Sequence, residues 1–325
     1  MISYGEPAGF CDPHHRSAGP EAPRVSVIVV SYNCKGYLDR CLASLAAHAG
    51  VDCEVVVVDN ASTDGTVESL KARWPSVRWI VNRENQGFAR ANNQGFAVSR
   101  APYWFVLNPD TEVRGGALEA LVAFLDAEPR VAAVGPEVER PGGGLERSAG
   151  FTPTLGRELV ETLLLFRLGA RGTTLRGRVS GPTRVGWLSG CACLVRAEAA
   201  REVGLFDERF FMYFEDVDWC YRFARAGWSV VYLPGPRVLH HRGASVLAAP
   251  DSLLDGGAGL ERFVRKHGLR FPIPVLRSLL VFKLCTRAIW LAWRGVRGDS
   301  RARLEARMFA RTIPQALGLR GTAQR

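Results

Sequence analysis

The feature that most constrains the fold is a regular alternation of short apolar runs with stretches of helical period. Val25–Val30, Glu54–Asp59 and Tyr103–Leu107 are each too short for a helix and rich in branched or aromatic residues, which is typical of buried strands. Between the first two runs, apolar residues from Tyr37 to Leu45 recur at helical spacing. Strand, helix and strand at this spacing predict a parallel βαβ unit with a right-handed crossover. The sequence therefore predicts an α/β fold with a mostly parallel central sheet flanked by helices.

Polar side chains follow three of the predicted strands at the point where each strand ends. Asn33 follows the first strand, Asp59 ends the second, and Asn108-Pro109-Asp110 follows the strand at Tyr103–Leu107. In open α/β sheets, ligands bind beyond the carboxyl ends of the strands, so these residues are available to a metal or a polar substrate. Taken alone, Asn108-Pro109-Asp110 fits a turn equally well.

Two common nucleotide-binding loops are absent from the sequence. No Gly-x-Gly-x-x-Gly follows the first strand, and no Gly-x-x-x-x-Gly-Lys occurs anywhere in the chain. These loops cradle the phosphates of dinucleotides and of nucleoside triphosphates. Their absence argues against a dehydrogenase and against an ATPase.

The cysteines and residues 1–24 indicate the cellular compartment of the protein. The eight cysteines form no Cys-x-x-Cys pair, which argues against a zinc site. Several lie in apolar runs, where a free cysteine behaves as a small hydrophobic residue in a reducing compartment. Residues 1–24 lack an apolar h-region and are predicted to be a disordered leader rather than a signal peptide. We expect a cytoplasmic protein.

The formal net charge of +10 is concentrated after Arg262. There, Val275–Val296 is apolar but carries Lys283, Arg287 and Arg294, so it is too interrupted for a membrane span. On a helix these three cations share one face and apolar residues lie on another, which favours a helix at an anionic bilayer surface. A helix packed on the catalytic domain fits the period equally well. The apolar face argues against nucleic-acid binding.

Two later clusters carry titratable groups. Glu215-Asp216-Val217-Asp218 begins a predicted helix, where acidic residues are also favoured simply by the helix dipole. A strand at Ser229–Leu233 leads to His240-His241, and a histidine in such a place is more often structural than a ligand. Neither cluster defines a function by itself.

Seven motifs in order resemble the inverting glycosyltransferases of family 2, most closely the bacterial rhamnosyltransferase-like branch. The resemblance covers about residues 25–245, with residues 246–325 left as a basic amphipathic helical region. The motifs are Val-Ser-Val-Ile-Val-Val-Ser-Tyr-Asn, Val-Asp-Asn-Ala-Ser-Thr-Asp-Gly-Thr, Asn-Gln-Gly-Phe-Ala, Leu-Asn-Pro-Asp, Trp-Leu-Ser-Gly, Phe-Phe-Met-Tyr-Phe-Glu-Asp-Val-Asp and His-x-x-Gly-x-Ser. Any one of these motifs is weak alone, whereas the ordered set is specific.

The resemblance implies a GT-A type fold, and it assigns roles to residues that match the motifs. Asn108-Pro109-Asp110 stands where the family has its Asp-x-Asp metal motif, so Asp110 is the one strong anionic ligand of Mg²⁺ or Mn²⁺. His240 matches the histidine that completes the metal site in several members, and it fits that motif better than His241. Asp216 matches the catalytic base, while Glu215 and Asp218 are capping or neighbouring groups. The implied donor-binding residues are Tyr32, Asn33, Asp59, Asp64, Asn108 and Gly190.

The same resemblance implies a function in the synthesis of cell-envelope glycans. The enzyme would move a sugar, best guessed as L-rhamnose from dTDP-rhamnose, to a lipid-linked or polysaccharide acceptor. It would lie on the inner face of the cell membrane as a peripheral protein, through its C-terminal region. The alternatives are another donor, such as a UDP-hexose or UDP-galactofuranose, and a non-catalytic module of a membrane assembly that retains the nucleotide-sugar fold.

Overall fold

The computed structural model of the chain describes residues 22–169, 171–177, 179–242 and 249–316. Residues 1–21 of the predicted leader and residues 243–245 of the His-x-x-Gly-x-Ser motif lie outside this set. Two compact units are formed by the described residues. The first takes them from Met1–Thr152, Thr174–Phe211 and Glu215–Ser245, and the second from Pro153–Thr173, Met212–Phe214 and Val246–Arg325. The domain boundaries expected from the sequence stay predictions.

The strands of the first unit lie where branched and aromatic residues are concentrated. In chain order they are β1 (Val25–Ser31), β2 (Cys53–Asp59), β3 (Arg78–Val81), β4 (Tyr103–Leu107), β5 (Thr111–Val113), β6 (Val131–Glu139), β7 (Ala149–Gly150), β8 (Thr183–Arg184), β9 (Trp187–Leu188), β10 (Ala192–Arg196) and β11 (Ser229–His240).

The central sheet has the strand order β3-β2-β1-β4-β10-β6-β11-β5, with β8 paired to β11. The first four strands of that order run parallel, as expected from the βαβ pattern. Strand β10 then pairs antiparallel with both β4 and β6, and β5 pairs antiparallel with β11. The predicted α/β class is confirmed, and the sheet is mixed.

The helices of the first unit cover both faces of this sheet. They are α1 (Lys35–His48), α2 (Thr66–Arg73), α3 (Gly87–Val98), α4 (Ala117–Ala127), α6 (Ala197–Val203) and α7 (Glu215–Arg225), with α5 (Leu155–Thr162) belonging to the second unit. On β1, Val27 and Val29 pack into the cluster that holds the apolar faces of α1 and α4, whereas Ile28 packs into the cluster with α3, α6 and α7. This alternation follows from the two-residue period of a strand.

Three elements differ from the sequence expectation. The apolar residues over 159–168 predict one helix, but the structure has α5 followed by a 3₁₀ turn at Leu165–Leu168, because Leu164 between them adopts a left-handed backbone with φ of 59°. The apolar run over 185–195 predicts one strand, but the structure has two, β9 and β10. The strand expected to end at Leu233 continues as β11 to His240, with a register shift between Tyr232 and Arg237. The shift accommodates Pro234-Gly235-Pro236 inside the strand.

The second unit is helical and has its own apolar core. It contains α8 (Ala249–Lys266), α9 (Ile273–Val296) and α10 (Ser300–Ala316) besides α5. Leu284 and Leu291 of α9 pack with Ala302, Ala306 and Phe309 of α10. Within the part of the chain that the structure describes, no helix has the length and apolarity needed to cross a bilayer.

Candidate active site at the carboxyl ends of the strands

The loop after β2 forms a hydrogen-bonded polar cluster with the end of β1, where Ser31 and Asp59 are paired in register. Asp59 is fully buried, and its carboxylate accepts hydrogen bonds from the Ser62 amide at 2.8 Å and from the Ser62 hydroxyl at 2.6 Å. Asn33, with a left-handed φ of 49°, donates its amide to the Ser62 hydroxyl at 2.9 Å. The structure therefore brings together two of the predicted donor-binding residues, Asn33 and Asp59, with Ser62 between them.

Asp64 links this polar cluster to the starts of α1 and α2. Its carboxylate accepts from the Lys35 amide at 3.0 Å, at the first residue of α1, and from the Thr66 amide at 3.1 Å, at the first residue of α2. Burial raises the pKa of Asp64, but the hydrogen bonds from Thr66 and Lys35 outweigh it, so the pKa is lowered overall. The predicted donor-binding residue Tyr32 lies nearby in sequence with its ring half exposed at the end of β1.

The segment after β4 enters the site at the middle of the sheet. The Asn108 amide donates to the Cys191 carbonyl at 2.9 Å, and Thr111 closes a turn by donating its amide to the Asn108 carbonyl at 3.2 Å. The expected turn is thus present, and it leads directly into β5. Asp110, buried within this turn, accepts the His241 amide on its backbone carbonyl at 2.8 Å. The same residues therefore form a turn and belong to the candidate site.

His240 is brought to Asp110 by the pairing of β5 with β11, in which His240 stands opposite Thr111. Its Nε2 lies 3.2 Å from Asp110 Oδ1, and its Nδ1 lies 3.0 Å from Glu146 Oε2. Burial lowers the pKa of His240, but hydrogen bonds with Asp110 and Glu146 outweigh burial and raise it to about 9. The predicted metal pair, Asp110 and His240, is therefore assembled from residues 130 positions apart in the sequence.

Glu146 is held on its other side by Arg242, whose Nε donates to Glu146 Oε1 at 2.8 Å. Burial raises the pKa of Glu146, yet the hydrogen bonds from His240 and Arg242 lower it overall to about 2. Glu146 is thus a carboxylate at neutral pH and can only accept hydrogen bonds, so His240 Nδ1 is the donor in their contact.

The two adjacent histidines face different partners. His241 Nε2 lies 2.7 Å from Glu112 Oε1, and its ring centroid lies 5.6 Å from that of Tyr37. His240, in contrast, presents Nε2 to Asp110. The structure places His240, and not His241, beside the acidic residue of the metal motif.

A divalent cation fits the donor chemistry of Asp110 and His240. One carboxylate oxygen and one imidazole nitrogen, both buried, face each other in the turn. Among the described residues, no group of three or more His, Cys, Asp or Glu side chains is arranged to hold a metal. Mg²⁺ is commonly bound through one or two carboxylates together with substrate phosphates, so the remaining ligands would come from a diphosphate and water.

Asp216 begins a third cluster at the N-terminus of α7. Its Oδ2 accepts the Gly190 amide at 3.0 Å, and its Oδ1 accepts the Val217 amide at 2.8 Å. Burial raises the pKa of Asp216, and the hydrogen bonds from Gly190 and Val217 only partly offset that rise. A carboxylate with a raised pKa at a site of this kind is suited to accept a proton.

Gly190 and Glu215 define the surroundings of Asp216. A Cβ on Gly190 would lie 3.2 Å from the Phe88 ring, so the residue allows close packing beside the carboxylate. Glu215 is buried, its Oε2 makes no hydrogen bond to any described residue, and burial together with the charge of Asp216 raises its pKa well above the ordinary value.

Two buried thiols lie among the three clusters. Burial raises the pKa of Cys34 to about 11, with a further rise from the carboxylates of Asp110 and Asp64 and an opposing effect of hydrogen bonds from Ser31 and Tyr32. Burial likewise raises the pKa of Cys191 to about 12, against a hydrogen bond with Ser189, and the carboxylates of Glu146, Asp110 and Asp216 add to it. The polar cluster at Asp59, the Asp110–His240 pair and Asp216 share one edge of the sheet. Asp59 ends β2 and Asp110 follows β4, while Gly190, which donates to Asp216, precedes β10, the antiparallel neighbour of β4.

Sequence reasoning missed Glu146, Arg242 and Ser62. Glu146 follows the glycine-rich stretch Gly142-Gly143-Gly144, where no hydrophobic period exists, and its partner His240 is far away in sequence. Ser62 carried a usable signal, because an aspartate at the start of a loop commonly accepts a hydrogen bond from a nearby backbone amide, and here the Ser62 amide is that donor.

Comparison with known proteins agrees with this geometry. The model of the glycosyl transferase family 2 matches residues 26–204, more than half of the chain. The chain belongs to glycosyl transferase family 2, and it is a glycosyltransferase.

Among its relatives is the N-acetylglucosaminyl-diphospho-decaprenol L-rhamnosyltransferase of Mycobacterium tuberculosis (strain ATCC 25618 / H37Rv). The two are 36% identical over 243 residues, which cover 70% of this chain and 79% of that protein. The pre-mycofactocin glycosyltransferase of Mycobacterium tuberculosis (strain CDC 1551 / Oshkosh) is 29% identical over 228 residues, covering 69% of this chain and 44% of that protein.

Two solved structures share the fold. GalNAc-T7 with UDP, GalNAc and Mn²⁺ superposes with a TM-score of 0.55 and 18% identity, covering 82% of this chain and 54% of that chain. The mannosyltransferase PcManGT from Pyrobaculum calidifontis, in complex with GDP-Man and Mn²⁺, gives a TM-score of 0.53 and 20% identity, covering 92% of this chain and 81% of that chain. The predicted GT-A type fold is confirmed.

Proposed function

We propose that this glycosyltransferase moves L-rhamnose from dTDP-rhamnose to a lipid-linked acceptor in cell-envelope synthesis, with inversion at the anomeric carbon. The observation that carries the chemistry is the convergence of the Asp110–His240 pair and the Gly190–Asp216 contact on one sheet edge. The substrates are proposed from the relative named as an N-acetylglucosaminyl-diphospho-decaprenol L-rhamnosyltransferase, which is similar over 70% of the chain.

The polar cluster at the ends of β1 and β2 is proposed to hold the nucleoside of the donor. Asp59 and Asp64 offer carboxylate oxygens there, and Asn33 offers an amide; Tyr32, Asn108 and Gly190 complete the proposed donor-binding set. Asp59 is fixed by two hydrogen bonds from Ser62, and Asp64 by the first amides of α1 and α2. Side chains fixed in this way are ready to bind without a further loss of conformational freedom.

Asp110 and His240 are proposed to hold Mg²⁺ or Mn²⁺ together with the donor diphosphate. A bound divalent cation neutralises the negative charge that develops on a departing diphosphate. Asp110 would contribute one carboxylate oxygen and His240 one imidazole nitrogen, and both side chains are buried. Backbone hydrogen bonds fix the turn that carries Asp110.

Asp216 is proposed as the general base of a single in-line displacement. The bond between the acceptor oxygen and the anomeric carbon forms as the bond from that carbon to the diphosphate oxygen breaks. The proton of the acceptor hydroxyl passes to the Asp216 carboxylate, and the nucleoside diphosphate leaves with the electron pair. Since the acceptor attacks from the face opposite the leaving group, the anomeric configuration inverts. The hydrogen bond from Gly190 holds Asp216 Oδ2 in place for this transfer.

A panel of donors tests this proposal together with its two alternatives, a different sugar donor and a non-catalytic module. Purified protein is incubated with N-acetylglucosaminyl-diphospho-decaprenol as acceptor and with dTDP-rhamnose, UDP-galactose, UDP-glucose or UDP-galactofuranose as donor. Mg²⁺, Mn²⁺ or EDTA is added, and nucleoside diphosphate release is measured. We expect release from dTDP-rhamnose that EDTA abolishes. Faster release from a UDP-sugar would show that dTDP-rhamnose is not the donor. Release that EDTA leaves unchanged would contradict the proposed metal dependence. The absence of release from every donor would favour the non-catalytic module.

The α9 helix is proposed to attach the protein to the inner face of the cytoplasmic membrane. Val275, Phe282, Ile289 and Val296 recur every seven residues and are all exposed, reaching 69% at Ile289 and 83% at Val296. Residues at this spacing lie on one face of a helix. These four residues form an apolar stripe along α9, and the stripe supports the proposed attachment.

Cations and tryptophans flank the apolar stripe. The guanidinium groups of Arg287 and Arg294 lie 4.7 and 4.9 Å from the Trp290 ring centroid, and that of Arg297 lies 3.7 Å from the centroid of Trp293. Apolar residues, interfacial tryptophans and cations on one helix are the chemistry that binds anionic lipid surfaces. Lys283 and Arg294 are also engaged within the protein, because Lys283 Nζ lies 3.3 Å from Glu158 Oε2 and Arg294 Nη2 lies 2.5 Å from Asp299 Oδ2.

The attachment is tested by sedimentation of the full chain with vesicles of phosphatidylcholine alone or with one quarter phosphatidylglycerol. We expect binding to the anionic vesicles, weakened by salt and by the double change Ile289→Ser and Val296→Ser. Leu304→Ser is the matched control, since Leu304 is 62% exposed on α10 and lies outside the stripe. Equal sedimentation of all three proteins would show that the stripe is not the anchor.

A further inference from the structure

Glu146 holds His240 from the side opposite the proposed metal position. The imidazole has two ring nitrogens, and they have different neighbours: Nδ1 lies 3.0 Å from Glu146 Oε2, while Nε2 lies 3.2 Å from Asp110 Oδ1. The side chain of Glu146 is 8% exposed. An acceptor on one nitrogen fixes which nitrogen carries the proton and how the ring is turned.

Arg242 fixes the Glu146 carboxylate in turn. Its Nε donates to Oε1 at 2.8 Å, and a second donor, Nη2, contacts the same oxygen, so Oε2 is left to His240. Arg242, two residues after the end of β11, has a left-handed φ of 53°. The result is an ordered series of contacts from Arg242 through Glu146 and His240 to Asp110.

We propose that Glu146 is a positioning residue that commits His240 to the tautomer and ring orientation in which Nε2 can bind the divalent cation. This rests on the proposed role of Asp110 and His240 as the metal pair. Carboxylates that accept from the outer nitrogen of a metal-binding histidine orient the ring and raise its basicity, and their loss costs about 10- to 100-fold in metal affinity. Glu146 lies in a loop after three glycines, outside every motif that assigned the site.

The chain supplies a matched control in the neighbouring pair. Glu112 Oε1 lies 2.7 Å from His241 Nε2, so a second carboxylate holds a second histidine one residue away. That pair faces Tyr37 rather than Asp110. A general effect of removing a histidine–carboxylate contact would therefore be the same in Glu112 and Glu146 variants, whereas positioning of the metal ligand belongs to Glu146 alone.

The test measures Mn²⁺ binding directly, without turnover, on the full chain in the presence of dTDP. Free Mn²⁺ is followed by electron paramagnetic resonance, and the ¹⁴N modulation of bound Mn²⁺ reports an imidazole ligand. We expect Glu146→Leu to weaken Mn²⁺ binding about 10- to 100-fold, Glu146→Gln to restore part of it because the amide oxygen still accepts from Nδ1, and Glu112→Leu to leave it unchanged.

The outcomes separate this inference from the proposed metal site. If wild type shows no ¹⁴N modulation, or if His240→Ala binds Mn²⁺ as wild type does, the metal pair itself is wrong. If wild type shows the modulation and His240→Ala loses it, but Glu146→Leu keeps both the affinity and the modulation, the positioning role is overturned. Should Glu146→Leu fail to fold, Arg242→Gln at the exposed end of the series decides, with weaker Mn²⁺ binding expected and unchanged binding contradicting the proposal.

Discussion

At the scale of single residues, the proposed mechanism depends on the ionisation of Asp216. The carboxylate is charged only above its pKa, and burial raises that pKa against the hydrogen bonds from Gly190 and Val217. A higher pKa makes an aspartate a stronger base once it is ionised, at the cost of needing a higher pH to be ionised. The environment of the α7 N-terminus therefore sets both the strength of the base and the lower limit of the working pH range.

The pH dependence of transfer follows from this shift. Because the base must be deprotonated, kcat/KM should fall as pH decreases through the raised pKa of Asp216, with about a tenfold loss per pH unit below it. We expect the midpoint of this acidic limb to lie above 3.8, the ordinary value for aspartate. Donor binding measured over the same pH range separates the chemical step from binding. A limb at or below the ordinary value would contradict the assignment of Asp216.

The sequence motifs identified the proposed donor, metal and base residues, but not the residues that hold those side chains in place. Asp59, Asp110, Asp216 and His240 lie at strand ends or at a helix start, where a local pattern marks the position. Glu146 could not be found in this way, because its role is defined by contacts with His240 and Arg242, 94 and 96 residues later. Contacts of that sequence separation are set by the register of β6 and β11, which the local sequence does not encode.

At the scale of elements, α3 depends on a glycine where it crosses β1. A Cβ on Gly95 would lie 2.5 Å from Cγ2 and 3.2 Å from Cγ1 of Ile28, a fully buried side chain. The helix can approach the strand this closely only because position 95 has no side chain. The same helix begins at Gly87, whose carbonyl accepts from the Asn60 side chain at 3.2 Å beside Asp59.

Gly95→Ala should therefore lower the free energy of unfolding by about 1–3 kcal/mol, through overpacking against Ile28. Gly36→Ala is the matched control, because Gly36 also lies in a helix, α1, and a Cβ there would meet no atom within 4 Å. We expect that change to be neutral or to stabilise by up to about 1 kcal/mol through helix propensity. Urea unfolding of both variants is the measurement, and equal effects would contradict the close-packing account.

Helices and strands were predictable where the hydrophobic period is strong and polar residues mark the end of the element. β1, β2 and β4 lie where the sequence predicted them, to within one residue. β11 was predicted seven residues too short, since Pro234-Gly235-Pro236 is ordinarily a strand terminator and only the irregular pairing with β6 carries the strand through it. The antiparallel insertion of β10 between β4 and β6 also has no local signature, because a strand's direction in a sheet is decided by its neighbours.

At the scale of the whole molecule, the protein has a unit with the glycosyltransferase fold and a second, helical unit. The first unit holds all of the proposed donor, metal and base residues, and the second holds the apolar stripe of α9. A lipid-linked acceptor is confined to a membrane, so an enzyme that uses one gains from a surface with affinity for anionic lipid. The family was recognisable from the ordered motifs, whereas the sugar and the acceptor are specified by the shape of a pocket that spacing along the chain does not reveal.

The central claim is tested most directly by transfer of radiolabelled rhamnose from dTDP-rhamnose to N-acetylglucosaminyl-diphospho-decaprenol in detergent. Wild type should form a labelled lipid in the presence of Mg²⁺ or Mn²⁺. Asp216→Asn should lower the rate by about 10²- to 10⁴-fold, as expected for loss of a general base, while binding the donor as wild type does. No labelled lipid with wild type would contradict the proposed substrates. Near wild-type transfer by Asp216→Asn, with Asp110→Ala inactive, would contradict the proposed base.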